Sequence, residues 1–210
     1  MPKESLNSAE VRDMMLAVAD KIIEAEPILS EADRQLGDGD HGIGMERGMN
    51  AVKEKLTSEE PDDIGKVFMN TGMAMMSSMG GASGAIFGTV FRAGGKAIKG
   101  CEAFTAAEAA TFFQAACEGV KERGGAKPGD KTMVDSLQPA AEKAAEVTDQ
   151  PLPAAMAAIA DAAEAGKEAS KDMIATMGRA KTLGEKSVGK ADAGACSVAI
   201  IVATMRDFVA

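Results

Sequence analysis

Residues 33–44 read DRQLGDGDHGIG, which places Asp33, Asp38 and Asp40 within eight positions and interleaves them with glycines. Glycine lets a backbone turn tightly and approach a ligand closely. Three hard carboxylate ligands suit Mg²⁺, which takes a few carboxylates and fills its other positions with waters and phosphate oxygens. Taken alone, an Asp-Gly-Asp turn is more often a solvated loop than a metal site. Two local alternatives fail. An EF-hand starting at Asp38 needs Asp or Asn where Gly42 stands, Gly where Ile43 stands and Glu where Met49 stands. The glycines at 37, 39 and 42 match a dinucleotide fingerprint, but no strand precedes them, and Asp38 and Asp40 would repel a bare pyrophosphate.

Three further segments have types and spacing that suit an anion. Gly80-Gly81-Ala82-Ser83-Gly84 stands where a helix should start, and a helix start offers free N–H groups and a favourable dipole to phosphate. The same glycines would also serve a close helix–helix turn. Gly129-Asp130-Lys131-Thr132 is a weaker loop signal of the same kind, and Arg179 and Asp192-Ala193-Gly194 lie in a glycine-spotted stretch. No GxxxxGK[ST] segment occurs, which excludes a P-loop.

Helices must position these residues. Aromatic residues make up 3% of the chain, with no Trp or Tyr, and alanine, glycine and fifteen methionines supply the apolar mass. Ala and Met favour helices, whereas the residues that favour strands are sparse. The expected fold is all-α, one domain over residues 1–210. Asn7 with Glu10 forms a capping-box pattern, followed by Val11, Met14, Val18 and Ile22 at helical spacing. This first helix is expected to run to the loop at Arg34–Gly44. Others follow from Met45 to Leu56, from Pro61 to Met79, and from Ser83 to Ile98. Thr105 with Glu108 starts a fifth, ending at Gly124-Gly125, and a sixth runs from Met133 to Val147. An alanine-rich seventh runs from Pro151 to about Met177, and an eighth closes the chain.

Eight amphipathic helices with mostly short loops predict an up-and-down antiparallel bundle or closed barrel. In such an array alternate loops share an end. The loops near 33–44, 80–83, 124–132 and 178–194 therefore gather at one rim. They are the four glycine-rich, polar loops.

The formal charge of −9 excludes nucleic-acid binding by bulk electrostatics, so attraction for an anion must come from a metal or from backbone N–H groups. Cys101, Cys117 and Cys196 form neither a metal-ligand spacing nor a disulfide framework, which points to a reducing compartment. The amino terminus lacks a signal peptide's apolar core, and the longest apolar run, about Ala195 to Met205, is too short to span a bilayer. A cytoplasmic, membrane-free protein is expected.

The segments LGDGDHGIGMERGM, GGASGAIFGT, KPGDKTMVDSL and GRAKTLGEKSVGKADAGACS occur in the order found in the L-subunit (nucleotide-binding domain) family of dihydroxyacetone kinases, and the chain resembles that family over almost its whole length. The resemblance implies a closed barrel of eight helices with a nucleotide, ADP or ATP, at one rim. It implies Mg²⁺ on Asp33, Asp38 and Asp40. By the same resemblance, nucleotide contacts fall on His41, Gly42, Ile43 and Gly44, on Ala82 and Ser83, and on Gly124, Thr132 and Met133. Further contacts are implied at Arg179, Asp192, Ala193 and Gly194, with Arg179 also the catalytic candidate that stabilises charge during transfer. Two positions depart from the family's pattern: Gly44 stands where Asn is common and Ala193 where Pro is common.

The activity so implied is phosphotransfer to a short ketose such as dihydroxyacetone, held covalently by a histidine of a separate K subunit. His41, the chain's one histidine, sits inside the acidic loop and is poorly placed for that task. The phosphoryl source is either Mg-ATP or a bound nucleotide recharged by a phosphotransferase-system phosphocarrier, and a homodimer is a further open partnership. The competing readings are a fatty-acid-kinase-like nucleotide domain and a non-enzymatic nucleotide sensor docking on a transcription regulator.

Overall fold

The computed structural model describes residues 2–60 and 62–210. Nine α-helices are present among them: α1 (Ser8–Glu24), α2 (Glu26–Arg34), α3 (His41–Thr57), α4 (Ile64–Ser78), α5 (Gly81–Ala97), α6 (Ala106–Gly124), α7 (Val134–Glu146), α8 (Leu152–Ala169) and α9 (Ala193–Val209). Both predicted capping boxes form. Asn7 Oδ1 accepts from Glu10 N at 3.0 Å, and Glu108 accepts from Thr105 N at 3.1 Å.

Each helix from α3 to α9 packs against the next, and α9 returns to α1 and α2, which themselves lie on α3. The result is a closed ring of eight rods. The first rod is broken: α1 stops at Ala25, and α2 starts again with Pro27 in its first turn. Proline lacks the N–H that would continue the helix ladder. The apolar period runs on from Ile22 to the buried Leu29, so periodicity alone carried the expected helix across the break.

Three other boundaries differ from expectation. Helix α3 begins at His41 rather than Met45, because Asp33 Oδ2 accepts from His41 N at 3.2 Å and serves the helix start. The expected start at Pro61 lies outside the described residues; α4 itself is capped by Asp63, which accepts from Lys66 N at 2.8 Å. Helix α8 ends at Ala169 rather than near Met177, and short 3-10 turns follow at Ser170–Asp172 and Arg179–Ser187.

The ring closes tightly because small residues line its contacts. A Cβ on Gly72 would sit 2.4 Å from the Gly88 carbonyl oxygen, and one on Gly65 would sit 2.4 Å from that of Gly95. Helices α4 and α5 therefore approach backbone to backbone. Inside, Phe68, Phe91, Phe104, Phe112 and Phe113 are buried, with the Phe68 and Phe112 rings 4.5 Å apart. These few aromatics, the buried methionines and the aliphatic side chains fill the barrel.

Candidate functional site

The loops that the up-and-down order places at one end do meet there. They surround a cavity of about 670 Å³, a size that suits a small molecule. Its wall comes from the α2–α3 loop, the α4–α5 turn, the α6–α7 loop and the long α8–α9 connection.

The acidic loop turns at Gly39, whose φ of +78° is a left-handed conformation that favours glycine. Asp40 precedes α3 but makes no side-chain cap bond, since Asp33 takes that duty, and its carboxylate stays available. One oxygen from each of Asp33, Asp38 and Asp40 lies within 4.8 Å of the others. Oxygens around an octahedral Mg²⁺ at about 2.1 Å stand roughly 3 Å apart in cis and 4.2 Å in trans, so the three carboxylates fit one ion with little movement. Arg179 forms an ion pair with Asp38 across the mouth.

His41 is buried, and its Nε2 lies 2.8 Å from Ser197 Oγ. The Ser197 hydroxyl donates to the Ala193 carbonyl at 3.2 Å. It therefore accepts from His41, which places the proton on Nε2. Burial lowers the His41 pKa, while Asp33 and Asp40 pull it up.

Opposite, α5 starts at Gly81 behind its N-cap Gly80, with φ of +61° and +73°. The first N–H groups of a helix have no intrahelical acceptor, and here no side chain caps them. An uncapped helix start of this kind at the cavity wall is suited to an anion. Arg47 on α3 donates to the carbonyl of Met79, which ends α4, and holds this turn.

On the far side Asp192 caps α9, accepting from Ala195 N at 2.8 Å. Burial pushes its pKa up to about 6, Asp135 adds to the rise, and the Ala195 N–H and Lys131 oppose it. Lys131, Thr132 and Met133 complete the wall.

Of the residues expected at the site, Asp33, Asp38, Asp40, His41, Ile43, Gly44, Ala82, Ser83, Thr132, Met133, Arg179, Asp192, Ala193 and Gly194 line the cavity. Gly42 and Gly124 do not. Gly42 faces α2, where an added Cβ would lie 2.4 Å from the Glu26 carbonyl oxygen, and Gly124 stands behind the lining residue Ile86. Lys131, part of the weaker loop signal at 129–132, lines the cavity too, whereas sequence reasoning missed Arg47, Ile86, Phe87 and Met177 in the lining and Ser197 beneath it. Arg47 was legible, since Asp40, Gly44 and Arg47 share one helix face. Ser197 meets His41 only across 156 positions of chain.

The DAK2 domain profile matches residues 35–207. The chain is 39% identical over 196 residues to the Escherichia coli (strain K12) PEP-dependent dihydroxyacetone kinase, ADP-binding subunit DhaL, covering 92% of this chain and 93% of that one. It is 35% identical over 191 residues to the PTS-dependent dihydroxyacetone kinase, ADP-binding subunit DhaL, of Lactococcus lactis subsp. lactis (strain IL1403), covering 91% and 92%. The D-erythrulose kinase of Mycolicibacterium smegmatis is 35% identical over 197 residues, but this chain spans only 34% of its length. The crystal structure of the dihydroxyacetone kinase from C. freundii in complex with AMP-PNP and Mg²⁺ superposes with a TM-score of 0.72 at 26% identity, covering 99% of this chain and 34% of that kinase. A family profile matched over most of the chain, near-complete relatives and a shared ring of helices lead to one conclusion: this chain belongs to the DAK2 domain family.

Proposed function

We propose that this chain is the nucleotide-binding subunit of a dihydroxyacetone-type kinase, holding ADP or ATP with Mg²⁺ at the rim of its barrel. One observation carries the reading: three carboxylates converge at the mouth of the cavity onto which the uncapped start of α5 opens. Asp33, Asp38 and Asp40 take the metal, which when bound offsets the phosphate charge that a chain of formal charge −9 would otherwise repel. The N–H groups of Gly81, Ala82 and Ser83 orient the phosphates, and Ile86, Met133 and Met177 offer an apolar wall to the base. Arg179 exchanges its ion pair with Asp38 for the transferring phosphoryl group, where a guanidinium stabilises developing charge.

The substrate, a short ketose, is held elsewhere. Orienting a small ketose in line with a phosphoryl group takes a dedicated site, and His41 is buried with Nε2 committed to Ser197. A separate K subunit fills that role, and the rim stays open to receive it in the cytoplasm. A phosphotransferase-system carrier recharges the bound nucleotide; what supports this is that the PEP- and PTS-dependent subunits are matched almost end to end. The sensor and fatty-acid-kinase readings gain no comparable support. Two measurements test the proposal. Titration with ADP should show binding that EDTA abolishes, and equal affinity with and without EDTA would refute the metal assignment. Loss of dihydroxyacetone should require both the K subunit and a phosphoryl source; turnover by the chain alone would refute the two-polypeptide arrangement.

A further inference from the structure

Residues 170–192 carry both Arg179 and Asp192, yet apart from 3-10 turns this segment has no regular structure of its own. Its two ends meet at one side chain. Lys131 is 1% exposed, and its Nζ donates to the carbonyl of Ser170 and, at 2.6 Å, to that of Lys190. Those carbonyls are twenty residues apart in the chain (190 − 170). Neighbouring bonds follow the same seam: Thr176 N donates to the Asp130 carbonyl at 3.2 Å, and Asp192 N to Ser170 Oγ at 3.1 Å.

Lys131 is also the one non-glycine with positive φ among the described residues, at +60°. A side chain in that conformation costs energy, which a glycine would avoid. Gly129, two positions earlier, has a φ of +91°. A lysine kept in a strained position points to a task for its side chain. Burial lowers its pKa, while Asp192, Asp135 and Asp172 hold it up.

We propose that Lys131 is a positioning residue of the nucleotide pocket: its ammonium ties the two ends of segment 170–192 together and thereby fixes Asp192 and Arg179 across the mouth from Asp38. This rests on the nucleotide reading above. The core of the ring does not depend on the tie, because the residues joined lie in the connection between α8 and α9.

The test uses Lys131→Met, which keeps the chain length without charge, and Lys131→Gly, which also relieves the backbone. Hydrogen exchange is read on the ligand-free protein, and Mg–ADP affinity by titration calorimetry. In both variants the amides of Ala175, Gly189 and Asp192, each hydrogen-bonded within the segment, should exchange at least tenfold faster, while barrel amides keep their protection. The Kd for Mg–ADP should rise at least tenfold. Unchanged protection of the segment, or binding within twofold of the parent, would overturn the proposal. So would loss of barrel protection in both variants, which would make Lys131 a strut of the fold; if Lys131→Met alone fails to fold, Lys131→Gly decides. A parent chain that binds no Mg–ADP would refute the nucleotide reading instead, and the exchange comparison would still judge the tie.

Discussion

Gly42 and Gly44 belong to the same glycine-rich motif, but alanine at the two positions should act in opposite directions. A Cβ at position 42 would lie 2.4 Å from the Glu26 carbonyl oxygen, 2.4 Å from Ser30 Oγ and 2.7 Å from Ser30 N. Real Cβ contacts stay above 3.0 Å, so α2 must retreat by about 0.6 Å (3.0 − 2.4), and two of the three atoms met are backbone that cannot swing aside. Such overpacking costs about 2–3 kcal/mol. Removing a helical glycine returns about 1 kcal/mol. The net loss is about 1–2 kcal/mol, and for a chain of this size that lowers Tm by roughly 2–8 °C. Because α2 carries Asp33 in its last turn, the retreat also opens the carboxylate cluster, and Mg–ADP affinity should fall. At Gly44 nothing lies within 4 Å of an added Cβ. Gly44→Ala should raise Tm by up to about 4 °C through the helix term alone. Thermal melts followed by circular dichroism give both numbers. A Gly42→Ala protein that melts at or above the parent would refute the packing argument, and a strongly destabilised Gly44→Ala would show that the two positions are not distinguished as drawn.

Arg179→Ala should leave Tm within about 1 °C, because an exposed ion pair contributes little, while phosphotransfer with the K subunit falls at least a hundredfold; full activity in that coupled assay would exclude the catalytic role. Asp192 should make stability fall as pH rises: its folded pKa of about 6 exceeds the unfolded carboxylate value, so the folded state binds the extra proton and its advantage is complete below about pH 4 and lost through pH 6. Asp192→Asn keeps a capping side chain, so it should gain about 1–2 kcal/mol at pH 7 and nothing at pH 4; urea unfolding at the two pH values would expose a wrong sign. Ala193→Pro should stabilise by about 0.5–1 kcal/mol, because Ala193 opens α9 and Asp192 already holds φ −66° and ψ 133°, as a residue before proline prefers; a lower melting temperature would count against that geometry.

The sequence by itself determined the helical class, most helix starts and the end of the barrel at which the polar, glycine-rich loops gather. Those signals are local. A capping box such as Asn7 with Glu10 closes within three residues, and helix period and loop order need no knowledge of what packs where. The acidic loop was equally legible, because Asp33, Asp38 and Asp40 are near neighbours in the chain. Tertiary structure decided what depends on distant partners. Gly42 and Gly44 read alike until α2 lies against α3, and only then does one become a packing contact and the other a lining residue. The alanine-rich period of α8 could have continued towards Met177. It ends where the Ser170 carbonyl meets Lys131, 39 residues earlier in the chain. The tautomer of His41 waits on Ser197, and the raised pKa of Asp192 on burial and Asp135. Hydrogen-bond partners and desolvation are properties of assembled neighbours, and no local pattern of residues contains them.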